Sequence, residues 1–210
     1  MDVPRFKKQP VMGIVRGVES GQIEPLVEAV IQSGLQALEI TMNTPGAAEI
    51  IRKARKLAGN RLMLGAGTVL DTDSLMQALD SGATFIVMPV LVEDVLGFCV
   101  KNKIPAFPGA CTPQEIYNAW QEGATMVKVF PARFFGPQYF REIKGPFQEI
   151  ELMAVAGVTP QNMREYFSCG ASAIAFGASV FKKEWLEKKD YASIGSAIKA
   201  YLQQPLIEAA

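Results

Sequence analysis

The sequence predicts an α/β protein: a single-domain (β/α)8 TIM barrel over residues 1–210. Three observations carry this expectation. Short apolar, β-branched runs alternate with helix-like segments eight times, which calls for a parallel sheet with helices packed on it. No linker, low-complexity tract or shift of composition interrupts the chain. The loop after the first strand, Arg16-Gly17-Val18, lacks the glycines with which an open doubly wound sheet holds a phosphate, so closure into a barrel is favoured.

The elements follow in order. Val11–Val15 is the first strand, and Glu19–Ser33 has helical apolar spacing that stops at Gly34. Leu35–Ile40 is the second strand, with Glu39 near its end, and Pro45 opens a helix to about Ala58. Leu62–Ala66 is the third, ending at Gly67-Thr68, and Asp71 caps the next helix. Phe85–Met88 is the fourth, stopped by Pro89 and followed by a helix over Val92–Asn102. Ile104–Phe107 is the fifth, with Pro108-Gly109 after it. Thr112-Pro113-Gln114-Glu115 then combines a cap, a first-turn proline and a capping-box glutamate. Thr125–Ala132 carries the sixth strand, and a loop through Phe134-Phe135-Gly136-Pro137 leads to a helix near Gln138–Lys144. Glu151–Val155 and Ser172–Phe176 complete the eight. A helix starts at Thr159-Pro160 between them, and Tyr191–Gln203 closes the chain.

Composition excludes several classes. Lys plus Arg and Asp plus Glu balance at 21 each, which gives no support for nucleic-acid binding. No apolar run reaches the length of a membrane span, and Met1–Pro10 lacks a signal-peptide core, so a cytoplasmic protein is expected. Cys99, Cys111 and Cys169 are odd in number and unrelated in spacing, suggesting neither a disulfide framework nor a zinc motif. There is no histidine. Ser-His-Asp and Cys-His nucleophiles, histidine metal clusters and imidazole acid–base chemistry are therefore out of reach.

Chemistry must then come from other side chains. Lys128 sits in the middle of an apolar strand, where a desolvated ammonium gives up its proton and becomes an amine nucleophile. Barrel function gathers at the C-terminal strand ends, which here present Arg16, Glu39, Thr68, Pro89, Pro108, Lys128, Gly157 and Gly177–Ser179. A purely structural Glu39–Lys128 ion pair is the alternative, but desolvating both charges costs about as much as their attraction returns. Ala156-Gly157 and Gly177-Ala178-Ser179 offer small residues and backbone N–H groups where barrels commonly hold a phosphate, although ordinary tight turns also use glycine. Arg16 is a carboxylate clamp or a surface arginine. Cys111 reads as a wall residue, Trp120 and Trp185 as helix packing, and the Lys182–Lys189 run as a solvated face.

Leu38-Glu39-Ile40-Thr41, Gly65-Ala66-Gly67-Thr68-Val69, Phe107-Pro108-Gly109, Lys128-Val129-Phe130-Pro131-Ala132 and Gly177-Ala178-Ser179 stand in an order that resembles one family across nearly the whole chain. That family is the 2-keto-3-deoxy-6-phosphogluconate (KDPG) and 4-hydroxy-2-oxoglutarate aldolases. The resemblance implies Lys128 as the Schiff-base lysine, Glu39 as the general acid/base, and Thr68 and Phe130 lining the pyruvyl pocket. It also implies a cytoplasmic homotrimer in sugar-acid catabolism of the Entner–Doudoroff type, acting on a small molecule, with no metal or organic cofactor. Many relatives carry an arginine where this chain has Asn43, which leaves Arg16 as the carboxylate candidate. Val155-Ala156-Gly157 replaces a frequent Thr-Gly-Gly. Pro89, Asn43 and Val155 join the expected substrate wall, and Ala156, Gly157, Gly177, Ala178 and Ser179 the expected phosphate site. KDPG is the leading substrate; the galacto epimer (6-phosphogalactonate type) and 4-hydroxy-2-oxoglutarate are alternatives, and a non-catalytic barrel binding a sugar-acid phosphate is a more remote one.

Overall fold

The computed structural model describes residues 1–204, so the last six residues of the expected domain lie outside the described residues. Its strands are β1 (Val11–Val15), β2 (Ala37–Thr41), β3 (Met63–Gly67), β4 (Ile86–Val87), β5 (Ala106–Phe107), β6 (Gly109–Ala110), β7 (Val127–Val129), β8 (Leu152–Val155) and β9 (Ala173–Phe176). All pair in parallel in the order β5-β4-β3-β2-β1-β9-β8-β7-β6. The helices are α1 (Val3–Lys8), α2 (Ile23–Gln32), α3 (Ala47–Ala58), α4 (Thr72–Asp80), α5 (Glu93–Lys101), α6 (Pro113–Gln121), α7 (Gly136–Lys144), α8 (Met163–Ser168), α9 (Lys183–Glu187) and α10 (Tyr191–Leu202).

β5 and β6 are two halves of one strand. Pro108 between them has no N–H to donate, so the ladder breaks there. Its carbonyl still accepts from Lys128 N at 2.8 Å, and that of Phe107 accepts from Met88 N at 3.1 Å. The half before the proline pairs with β4 and the half after it with β7, which closes the eight-unit barrel. The sequence reading stopped this strand at Phe107; it resumes beyond Pro108 instead.

Strand alternation sorts the side chains into two cores. Outward residues, Val127 and Val129 in β7 and Leu38 and Ile40 in β2, pack under the helices. Inward residues Met12, Ala37, Met63, Phe85, Val87, Phe107, Met126, Met153, Ala173 and Ala175 fill the barrel. Glu39 follows Ala37 by two residues and Lys128 follows Met126 by two, so both point inward one layer above the floor. In the ladder Glu39 lies between Ile14 and Gly65, and Lys128 between Gly109 and Met153. Neither glycine leaves room for a side chain: a Cβ on Gly65 would meet the Phe85 ring, and one on Gly109 the Pro89 carbonyl.

The residues before Val11, to which the sequence pattern assigns no element, form α1, whose Asp2 side chain accepts from Arg5 N at 2.9 Å. The helix carries fully buried Phe6 into the barrel core, edge-on to Phe107 at 6.2 Å. Two helix starts also move. Pro45 precedes α3 because Gly46 adopts a left-handed φ of 72°. α8 begins after a reciprocal turn in which Thr159 N donates to Asn162 Oδ1 at 2.7 Å and Asn162 N to Thr159 Oγ1 at 3.3 Å. The capping box expected at Thr112 is present, with Glu115 Oε2 accepting from Thr112 N at 2.8 Å. The lysine-rich run forms α9, where Lys183 and Glu187 approach to 3.6 Å and Lys182 lies over the Trp185 ring at 4.2 Å.

Candidate active site

A cavity of about 320 Å³ opens at the C-terminal ends of the strands, near the lower end of the usual range for small-molecule sites. Its wall includes Arg16 after β1, Glu39 from β2, Thr68 after β3, Pro89 after β4, and Lys128 and Phe130 from β7 and its end. Val155, Ala156 and Gly157 follow from β8, and Gly177, Ala178 and Ser179 from the end of β9. A larger groove of about 500 Å³ lies between α2 and α10, but none of the buried charged residues lines it.

Glu39 is 1% exposed and Lys128 7%. Burial pushes the Glu39 carboxyl above its ordinary range, with Lys128 and Arg16 opposing. Burial also lowers the Lys128 ammonium; Arg16 adds to that lowering and Glu39 opposes it. The pair is thus tuned toward the neutral amine and the protonated acid, the forms from which an imine is built. Glu39 Oε2 has no hydrogen-bond partner among the described residues. An unsatisfied buried carboxyl oxygen is expensive in a finished core and useful in a site that receives a substrate hydroxyl or water. Lys128 Nζ sits 5.1 Å from the centre of the Phe130 ring.

Arg16 Nη2 donates to Thr68 Oγ1 across 3.4 Å. Thr68 has a φ of 55° and Ala156 a φ of 69°. Left-handed backbone costs a non-glycine residue about 1–2 kcal/mol, and such strain tends to collect where function holds it. Of the four non-glycine residues with positive φ among the described residues, two border this cavity.

One expected wall residue is misplaced. Asn43 is exposed and does not line the cavity. Its loop is closed from inside: Thr41 Oγ1 and Thr44 Oγ1 lie 3.1 Å apart, and Gly17 N donates to Thr44 Oγ1 at 3.0 Å. Ile14, Val158, Ala175 and Phe176 also line the cavity, as does Arg133 from the 3-10 turn Ala132–Phe134. Sequence reasoning passed over these five. Cys111 stands outside the wall; its Sγ donates to the Phe130 carbonyl at 3.0 Å.

A parallel barrel that buries a lysine and a glutamate together at its mouth, with cations beside them, has the groups that a carbon–carbon lyase of the Schiff-base class requires. The comparisons specify which. The KDPG and KHG aldolase family model matches residues 3–197, and the chain belongs to that family. It is similar to 2-dehydro-3-deoxy-6-phosphogalactonate aldolase of Escherichia coli, 30% identical over 92% of this chain and 95% of that one. It superposes on the KDPG aldolase of Zymomonas mobilis, solved with 3-phosphoglycerate, with a TM-score of 0.88 and 26% identity over 100% of this chain and 99% of that one. The fold is shared with KDPG aldolase of Legionella pneumophila, solved with pyruvate as a covalent carbinolamine, at a TM-score of 0.85 and 24% identity over 91% of this chain and 93% of that one. The protein is an aldolase.

Proposed function

We propose that this chain cleaves KDPG, a 2-keto-3-deoxy-6-phospho sugar acid, to pyruvate and glyceraldehyde 3-phosphate through an imine on Lys128. The observation that carries the reading is the inward Lys128–Glu39 pair, buried in one layer of the barrel. The neutral amine of Lys128 attacks the C2 carbonyl, and the carbinolamine hydroxyl leaves as water with the proton of the Glu39 carboxyl, giving a protonated imine and a Glu39 carboxylate. Glu39, directly or through a water, takes the proton of the C4 hydroxyl as the C3–C4 bond breaks. The bonding electrons move into the imine and leave an enamine while the aldehyde departs. Protonation at C3 and hydrolysis release pyruvate and restore the amine.

Arg16, with Thr68 beside it, receives the substrate carboxylate. Ala156, Gly157, Gly177, Ala178 and Ser179 receive the phosphate at the other side of the cavity. Pro89 and Phe130 form the apolar wall beside the reacting carbons. A second reading, the galacto epimer, is favoured by one observation: Val155 contributes a methyl-bearing wall with no hydroxyl to bind the C4 oxygen. The kcat/KM values for the two phosphorylated epimers and for 4-hydroxy-2-oxoglutarate test the substrate, with pyruvate release as the readout. The KDPG reading requires the gluco epimer to lead, and a lead for either other compound overturns it.

A homotrimer belongs to the same proposal. Its support is exposed apolar surface near the mouth, including Val90 at 55% and Phe134 at 78% exposure. Light scattering on the purified protein tests it. Cytoplasmic location and a role in sugar-acid catabolism rest on the family resemblance; no helix among the described residues is long and apolar enough to cross a membrane.

A further inference from the structure

The cavity holds a cation that the mechanism does not use. Arg133 belongs to the turn that follows the lysine strand, and it lines the same cavity as Lys128 and Glu39. Its place is fixed from below. Ala132 is fully buried, and its carbonyl accepts from Phe135 N at 3.1 Å and from the Tyr166 hydroxyl at 3.5 Å. It is also fixed from the side. A Cβ on Gly157 would stand 2.5 Å from Arg133 Cβ, 2.8 Å from its Cα and 3.2 Å from its N. The turn after β7 is thus pressed onto the turn after β8, and residue 157 must be glycine for the two to meet. Arg133 is thereby held against Gly157 of the small-residue wall.

The charges on the wall are unequal. Arg16, Lys128 and Arg133 face a single carboxylate, Glu39. Arg16 acts on both Glu39 and Lys128, which places its charge at the reacting end. Arg133 makes no hydrogen bond or ion pair through its guanidinium among the described residues, and its side chain is open to solvent at the cavity edge. A planar fork of donors beside backbone N–H groups and a serine hydroxyl suits a dianion with several acceptor oxygens.

We propose that Arg133 is a specificity residue of this aldolase, its guanidinium pairing with the terminal phosphate monoester of the substrate. The inference rests on the phosphorylated-substrate reading above and adds a charge to a site otherwise built from small residues. Because the contact with Gly157 is made by the Arg133 backbone and Cβ, shortening or neutralising the side chain beyond Cβ leaves that packing in place.

The test compares kcat and KM for the phosphorylated 2-keto-3-deoxy sugar acid and its dephosphorylated analogue in the unaltered enzyme, Arg133→Gln and Arg133→Lys. Hydrogen bonds to charged groups predict that Arg133→Gln lowers the selectivity for the phosphorylated compound roughly 10- to 100-fold, through KM rather than kcat. Arg133→Lys, which keeps the charge, retains more selectivity than Arg133→Gln. Borohydride trapping of pyruvate, which carries no phosphate, reports whether each variant still assembles its reacting end. Unchanged selectivity in Arg133→Gln, or an equal fall on both substrates, overturns the inference while leaving the phosphate reading standing. An unaltered enzyme without preference for the phosphorylated compound overturns both.

Discussion

Glu39 occupies the space that a side chain at position 67 would fill: a Cβ built on Gly67 would fall 1.5 Å from Glu39 Oε1 and 2.1 Å from its carboxyl carbon. Gly67 is paired opposite Thr41 on the neighbouring strand, so the carboxyl leans along the sheet toward the β3 end. The Gly65-Ala66-Gly67-Thr68 run is explained by the same geometry, since a Cβ at Gly65 would fall 2.4 Å from the Phe85 ring.

Gly67→Ala therefore displaces the Glu39 carboxyl. A shift of about 1 Å in a catalytic group costs on the order of 100-fold in rate, and overpacking costs about 1–3 kcal/mol of stability. A double-mutant cycle with Glu39→Ala checks the cause. Removing the carboxyl should abolish most of the stability cost of Gly67→Ala, and a cost that persists unchanged would place the clash elsewhere.

The pH dependence of adduct formation follows from the charges around Lys128. Only the free amine attacks, so the rate rises with pH and levels off once Lys128 is deprotonated. Because burial lowers that ammonium from its ordinary value of 10.5, the midpoint of the rise lies below pH 10.5. Glu39 holds the proton on Lys128, so Glu39→Gln moves the midpoint down; Arg16 drives it off, so Arg16→Ala moves the midpoint up. Pyruvate-trapping rates across pH give the midpoints from the shape of each profile, independently of its amplitude. Opposite shifts would contradict the assignment.

Gly157→Ala faces two costs. Its φ of 98° is unfavourable for a residue with a Cβ, and the added methyl meets Arg133 backbone as well as side chain. Together these predict a loss of about 2–4 kcal/mol. Thermal denaturation measures it, and KM for the phosphorylated substrate should rise in the same variant.

Phe6→Ala removes the ring that α1 inserts into the barrel core. Deleting a fully buried phenylalanine costs about 3–5 kcal/mol, visible as a lower urea midpoint. The reacting pair lies a layer away, so kcat per folded molecule should change little. A loss under about 1 kcal/mol would mean that α1 is not part of the core.

Much of this was legible in the sequence, for a reason that also marks where legibility ends. Lys128 and Glu39 stand out because a charge inside an apolar strand is a local anomaly, and the eight alternations needed only periodicity. Arg133 gave no such signal. It follows Pro131 in a mixed turn and looks like any surface arginine until its contact with Gly157 brings it to the cavity. Phe6 was hidden because a helix of six residues is too short to show a period, although Asp2 followed by Pro4 is a helix-start signal. Asn43 was expected at the wall because it stands where many relatives carry an arginine, but the Thr41–Thr44 contact, set by folding, closes the loop from inside and leaves that residue exposed.

The central claim is that Lys128 is the nucleophile. The enzyme is incubated with pyruvate, reduced with borohydride, digested, and its peptides are sequenced by mass spectrometry, with Lys128→Ala assayed alongside. A single reduced pyruvyl adduct on Lys128 and loss of aldol cleavage in the variant are expected. An adduct on another lysine, or full activity in Lys128→Ala, would contradict it.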